Sequence, residues 1–208
     1  MTVPKTPFDN VLKHLSDIGF LLLSGDEIPN VRELLTGQRS KGSWWADAAA
    51  QEIFTVTQKL EDHVDVTITK LISKKVTFVH RKLWTRLFAI ASARDDWQLE
   101  GLSKPAQLLL REIAKDGALF TNTMNKSSVA KTGNAARELE LRLLVHSDQF
   151  HTESGAHAKR LETWESWAKR VNLKGPAVDS ERARRFLEKR LDEINESCSG
   201  HGRLPWQG

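Results

Sequence analysis

The chain of 208 residues has no tyrosine, a single cysteine, and no uninterrupted apolar run longer than seven residues. One cysteine, Cys198, excludes an internal disulfide and any zinc site built on a cysteine pair. The short apolar runs exclude a membrane-spanning helix, which needs about twenty apolar residues. The opening stretch MTVPKTPFDN has no apolar core of signal-peptide length. Cys198 lies in a tail rich in Gly and Ser, a poor setting for a rigid nucleophile. Also absent are the GxSxG, Walker A, GxGxxG and HExxH patterns, which carry acyl transfer, nucleotide binding and zinc hydrolysis. Together these absences predict a soluble, cytoplasmic, folded protein without cofactor or metal.

What the chain does hold is 39% hydrophobic and 28% charged residues, the balance of a folded domain. Lys and Arg number 31 against 27 Asp and Glu, a net charge of +4. The excess is local. Lys70, Lys74, Lys75, Arg81, Lys82, Arg86 and Arg94 face only Asp65, Asp95 and Asp96 between Asp65 and Trp97, so this one stretch carries 7 − 3 = +4. Lys126, Lys131, Arg137 and Arg142 form a second, smaller basic region beside Glu138 and Glu140. There are seven tryptophans. Most sit at core spacing on amphipathic helices; Trp44 and Trp45, after a Gly/Ser loop, can stack on a base.

Periodicity supplies the elements. Phe8, Val11, Leu12 and Leu15 mark a helix, Phe20 to Leu23 a buried strand, Val31 to Leu35 a short helix, and Trp44 to Leu60 another helix. From Asp65 the period becomes two, and Val66–Ile72 and Val76–His80 read as a β-hairpin turning at Ser73-Lys74-Lys75. Arg81 to Ala93 is helical, and Arg94 to Gly101 reads as a linker. Ser103 caps a helix with Pro105 in its first turn, stopped by Gly117, and Ala118-Leu119-Phe120 is a short extended piece. Thr121 caps a second helix to about Val129, and Thr132 a third that buries Ala136, Leu139 and Leu143. Leu144–His146 and Gln149–His151 then flank Ser147-Asp148 as a hairpin, with His146 opposite His151. His157 to Val171 reads as a helix, and a last helix runs to about Asn195. The expected fold is α+β and mostly helical. A small α/β subdomain with one β-hairpin (residues 1–100) precedes a winged helix-turn-helix (101–155), and C-terminal helices and a tail (156–208) follow.

Helix three of a winged helix enters the major groove. With Ala136, Leu139 and Leu143 inward, Asn134, Arg137, Glu138 and Leu141 point outward. Asn and Arg suit bidentate contacts to adenine and guanine. Lys126 and Lys131 lie on the approach, and Lys74 and Lys75 at the hairpin turn offer sequence-blind phosphate contacts. Glu138 and Leu141 on the same face suit a protein partner instead. His146, His151 and His157 lie near Glu153, but spacings of five and six match no zinc pattern.

The run Leu102-Ser103-Lys104-Pro105-Ala106 through Gly117-Ala118-Leu119-Phe120-Thr121, then Ala136-Arg137-Glu138-Leu139-Glu140, resembles the AlkZ-related winged-helix proteins. The Asp65–Trp84 hairpin and Ile18-Gly19-Phe20-Leu21 are similar to the small members of that group. The resemblance implies double-stranded DNA as partner and a role in DNA repair or regulation. Full-length AlkZ enzymes are DNA glycosylases that use a Gln-x-Gln or Gln-x-Asp signature to position water at the deoxyribose. None of Gln38, Gln51, Gln58, Gln98, Gln107, Gln149 and Gln207 fits that signature. The nearest match is Gln98-Leu99-Glu100, which makes Gln98 and Glu100 the catalytic candidates if the chain is an AlkZ-like glycosylase acting on alkylated or crosslinked DNA. The third reading is a winged-helix module for protein interaction. Oligomeric state is not encoded in any pattern found.

Overall fold

The computed structural model describes residues 6–39, 43–120, 126–151, 157–176 and 178–207, with backbone alone at 126–131, 150, 151 and 157. The protein is α+β and mostly helical, with two three-stranded antiparallel sheets. It packs as two compact units, residues 1–84 with 186–208, and residues 85–185. Among the described residues no helix is long and apolar enough to cross a membrane.

The first unit begins with α1 (Pro7–Ile18). Thr6 caps it: its hydroxyl accepts from the Asp9 N–H, and Asp9 returns the bond to the Thr6 N–H at 2.9 Å. Pro7 occupies the first turn, where no N–H is needed. Gly19 ends the helix at φ 93°, a left-handed conformation that favours glycine. The carbonyls left open at that end accept from Lys82 Nζ and from the Arg190 guanidinium, two cations placed where the helix dipole is negative. β1 (Phe20–Leu22) follows, then α2 (Val31–Thr36) and α3 (Ala50–Glu61). β2 (Val66–Thr69) and β3 (Thr77–His80) form the hairpin that the alternation predicted, with β3 central in the order β1-β3-β2. Its connection passes through Ser73 and Lys74, both at positive φ. Val11, Leu15, Leu21, Val31, Val56, Leu60, Val66 and Phe78 make one core. The Gly- and Ser-rich tail is packed as well: Leu204 is buried, and Trp206 Nε1 donates to Glu188 at 2.6 Å.

Two helices carry the chain between the units: α4 (Trp84–Ala91), and the last helix, which is given below. In the second unit α5 (Asp96–Leu99) forms where the sequence reads as a linker, because Asp95 and Gln98 make a reciprocal capping box. α6 (Lys104–Asp116) is capped by Ser103 and stopped by Gly117, as its sequence predicts. β4 (Ala118–Phe120) follows.

Three expectations for the rest of this unit are corrected. α7 (Lys126–Leu141) is one continuous helix, not two. Thr132 therefore lies inside it, and the Thr121 cap lies outside the described residues. Gly133 does not take the left-handed φ that would break the helix. The roughly 1 kcal/mol that a mid-helix glycine costs is offset by burial of Ala135, Ala136 and Leu139 against α6. The hairpin is longer than expected, β5 (His146–His151) against β6 (His157–Glu162), so Ser147 and Asp148 pair with Leu161 and Arg160 instead of turning. His151 accordingly lies opposite His157, and His146 opposite Glu162. Residues 157–162, expected as helix, are the central strand in the order β4-β6-β5. Leu161 and Trp164 share helical spacing by coincidence. The helix starts only after Thr163, whose hydroxyl accepts from the Ser166 N–H and opens α8 (Trp164–Arg170). The last helix, α9 (Ser180–Cys198), is close to its expected span.

The glycine at the end of α1 can be tested. A Cβ on Gly19 would lie 2.6 Å from Leu83 Cδ1 at a φ that L-residues rarely adopt. Gly19→Ala is expected to cost about 1–2 kcal/mol, read as a lower urea midpoint with an unchanged m-value.

Candidate nucleic-acid interface and a buried charge cluster

Helix α7 presents Asn134 and Arg137 to solvent while Ala135, Ala136 and Leu139 face α6. Neither exposed side chain makes a hydrogen bond or ion pair with a described residue. The side chains of Lys126 and Lys131 lie outside the described residues; their backbone is the first part of α7. Glu138, read as outward-facing, turns to α6. Its carboxylate accepts from the Ser103 N–H at 2.9 Å and the Ser103 hydroxyl at 2.6 Å. Burial raises the Glu138 carboxyl, but the two Ser103 bonds and nearby Arg142 outweigh it and hold it below the usual range. Leu141 is half-buried. The two residues that favoured a protein partner on this face thus have structural partners or cover.

Gln98 has no exposed surface. Its Oε1 accepts from the Asp95 N–H at 3.0 Å, and its Nε2 is shared among the carbonyls of Arg142 (3.1 Å), Leu143 (3.3 Å) and Ala91 (3.4 Å). Leu143 closes α7 at φ 52°, and Leu144 N–H reaches back to the Leu139 carbonyl. Gln98 therefore caps the start of α5 and the end of α7 with one amide. Arg142 completes the joint by donating to the carbonyls of Glu100 at 2.6 Å and Trp97 at 3.2 Å. Glu100 is exposed at the end of α5. The sequence signal for this role of Gln98 is the Asp95-x-x-Gln98 spacing of a capping box, which the Gln-x-Glu tripeptide overlaps.

The basic stretch of the first unit is largely engaged within it. Lys75 Nζ lies 2.5 Å from Glu27, Arg81 lies 3.5 Å from Asp65, and Lys82 holds the end of α1. Lys74 is exposed at the turn. Trp44 is buried, and Trp45, 67% exposed, stacks on it at 3.9 Å.

A cluster of charges lies under the second hairpin. Glu162, fully buried, faces His146, with 3.3 Å between Oε1 and Nδ1. The Arg170 guanidinium donates to Glu162 Oε1 at 2.5 Å and also bonds Asp148, while Arg160 lies 3.0 Å from Glu162 Oε2. Trp164 and Trp167 cover the His146 ring at 5.3 and 5.5 Å. His146, Asp148 and Glu162 bring ligand atoms within 4.8 Å of one another, a separation a metal ion could use. Arg170 and Arg160 already supply the cations, so two guanidiniums balance two carboxylates. His151 and His157 pair five residues further along the hairpin, about 16 Å away at strand rise, so the three histidines do not converge. Nothing in the spacing of Glu162 announced this role; it follows from register.

A model of the AlkZ-related family matches residues 6–201, and the chain belongs to that family. No curated protein and no solved structure matches it.

Two outcomes follow. Gln98→Ala is expected to lower stability by about 2–3 kcal/mol, because four buried or part-buried backbone groups lose a bond to its amide; Gln98→Glu should be no better, since a carboxylate cannot donate to carbonyls. Urea titration reads both. Burial raises the Glu162 carboxyl, but His146 and Arg170 outweigh it and hold it below its ordinary value. A depressed folded pKa contributes stability that is complete above the unfolded value and is lost as pH falls from there through the folded one. The urea midpoint should therefore drop on acidification below about pH 4.5. Glu162→Gln should lower it at neutral pH, by about 3 kcal/mol for the unbalanced guanidiniums, and flatten the acid limb.

Proposed function

We propose that this chain is a DNA-binding protein of winged-helix type, acting in DNA repair or regulation. The observation that carries the reading is the strand order β4-β6-β5 around α6 and α7. A short strand between two helices pairs with the return strand of a hairpin, which is how a winged helix holds its recognition helix and wing on one scaffold. The second half of α7 takes the place of the recognition helix. Asn134 and Arg137 are its base-reading side chains, with Lys126 and Lys131 as phosphate contacts nearer its start. Lys74 and Lys75 of the other unit add sequence-blind contacts, Lys74 the more readily because Lys75 is tied to Glu27. Membership of the AlkZ-related family supports the same reading. Base excision through Gln98 and Glu100 has no comparable support, since the Gln98 amide is buried and committed to backbone groups.

Fluorescence anisotropy on a labelled duplex, across a salt series, tests the proposal. Binding should weaken linearly in log–log salt, and Arg137→Ala should reduce affinity about tenfold, the scale of one bidentate base contact. No binding at low salt, or binding indifferent to salt, overturns it.

A further inference from the structure

On α6 the residues Lys104, Leu108, Arg111 and Lys115 recur at spacings of four, three and four. At about 100° per residue they fall within about 60° of arc, opposite the face formed by Ala106, Leu109, Leu110 and Ile113. All four are exposed, Leu108 at 58%. None of the three cations makes an ion pair or side-chain hydrogen bond with a described residue. The helix's own acids, Glu112 and Asp116, fall to one flank of the row.

Several of the chain's other helical cations are paired on their own helix. Lys13 pairs with Asp17, Arg185 with Glu181 and Arg190 with Glu193, each one turn away. Arg111 instead has Lys115 one turn on, a like-charge neighbour that weakens a helix. Lys104 stands in a first turn that holds no acid, where the helix dipole disfavours a cation. The anion for that helix end comes from Glu138 of α7, through Ser103, which leaves the outward lysine free of any structural task. Local rules broken together on one solvent face, with no compensating partner among the described residues, mark a surface shaped by a ligand. Three cations in line over about 16 Å match a linear polyanion.

We infer that the outer face of α6 is a second nucleic-acid contact. Lys104, Arg111 and Lys115 track the phosphates of one strand without reading sequence, and Leu108 rests against the sugars between them. The inference builds on the DNA-binding reading above. It adds a surface that the recognition face of α7 does not supply.

The test is anisotropy with the full chain, comparing wild type, Arg137→Ala, and the triple variant Lys104→Gln, Arg111→Gln, Lys115→Gln. Circular dichroism and the urea midpoint of the triple variant should match wild type, since only exposed side chains change. The triple variant should bind a random-sequence duplex on the order of a hundredfold more weakly at low salt, with a log–log salt slope shallower by about 2.7, roughly 0.9 for each lost phosphate contact. Its preference among sequences should be unchanged. A triple variant with wild-type affinity and slope, while Arg137→Ala binds less tightly, overturns the α6 contact and leaves DNA binding standing. Wild type that fails to bind any duplex overturns both. A triple variant that loses binding to poly-glutamate or anionic vesicles but not to DNA assigns the row to another acidic partner and overturns the inference.

Discussion

The second unit hangs on one buried carboxylate. Glu162 lies in the first of three rows where all three strands of its sheet register, opposite Ala118 on β4 and His146 on β5. An unpaired charge with no exposure would be very costly, so the fold must deliver partners to it. Arg170 comes from the end of α8, Arg160 from two residues earlier on β6, and His146 from across the hairpin. The same α8 that brings Arg170 to the carboxylate also lays Trp164 and Trp167 over the His146 ring. Replacing a whole buried ionic set with apolar groups of similar volume is often neutral in energy; removing one member leaves an uncompensated charge and is strongly destabilising.

The opposite face of that sheet belongs to α6 and α7, and a second set of polar joints holds them. Gln98 and Arg142 bind the carbonyls at the end of α7 and the α5 segment to one another, and Glu138 serves the start of α6. Each joint uses a side chain whose type suggested contact with a partner outside the chain. What remains exposed on these helices is therefore informative. Asn134 and Arg137 on α7, and Lys104, Arg111 and Lys115 on α6, are polar or basic side chains that make no hydrogen bond or ion pair with a described residue.

Much of the architecture was legible in the residues. Ser103 with Pro105, and Gly117, announced helix boundaries through capping chemistry that acts within a few positions. Alternation announced the Val66–His80 hairpin, and the spacing of Leu161, Trp164, Trp167 and Ala168 announced buried residues correctly while assigning the first of them to the wrong element. The exposure of Asn134 and Arg137 also followed from helical phase alone. Glu162 and Glu138 were not legible as partners, and of Gln98 only its bond to Asp95 was, because the other neighbours that decide them lie as far as 45 residues away.

The sequence by itself determined some helix boundaries, such as Ser103 and Gly117, much of the apolar faces, and the family to which the chain belongs, all set by local chemistry or residue pattern. Only the tertiary structure decided that Ser147 and Asp148 extend a strand, that residues 157–162 form the centre of a sheet, and that most of the basic stretch from Lys70 to Arg86 is engaged internally. Those outcomes depend on hydrogen bonds and ion pairs between distant segments. A strand gains its backbone partners, and a buried charge its counterion, only once the chain has brought those segments together.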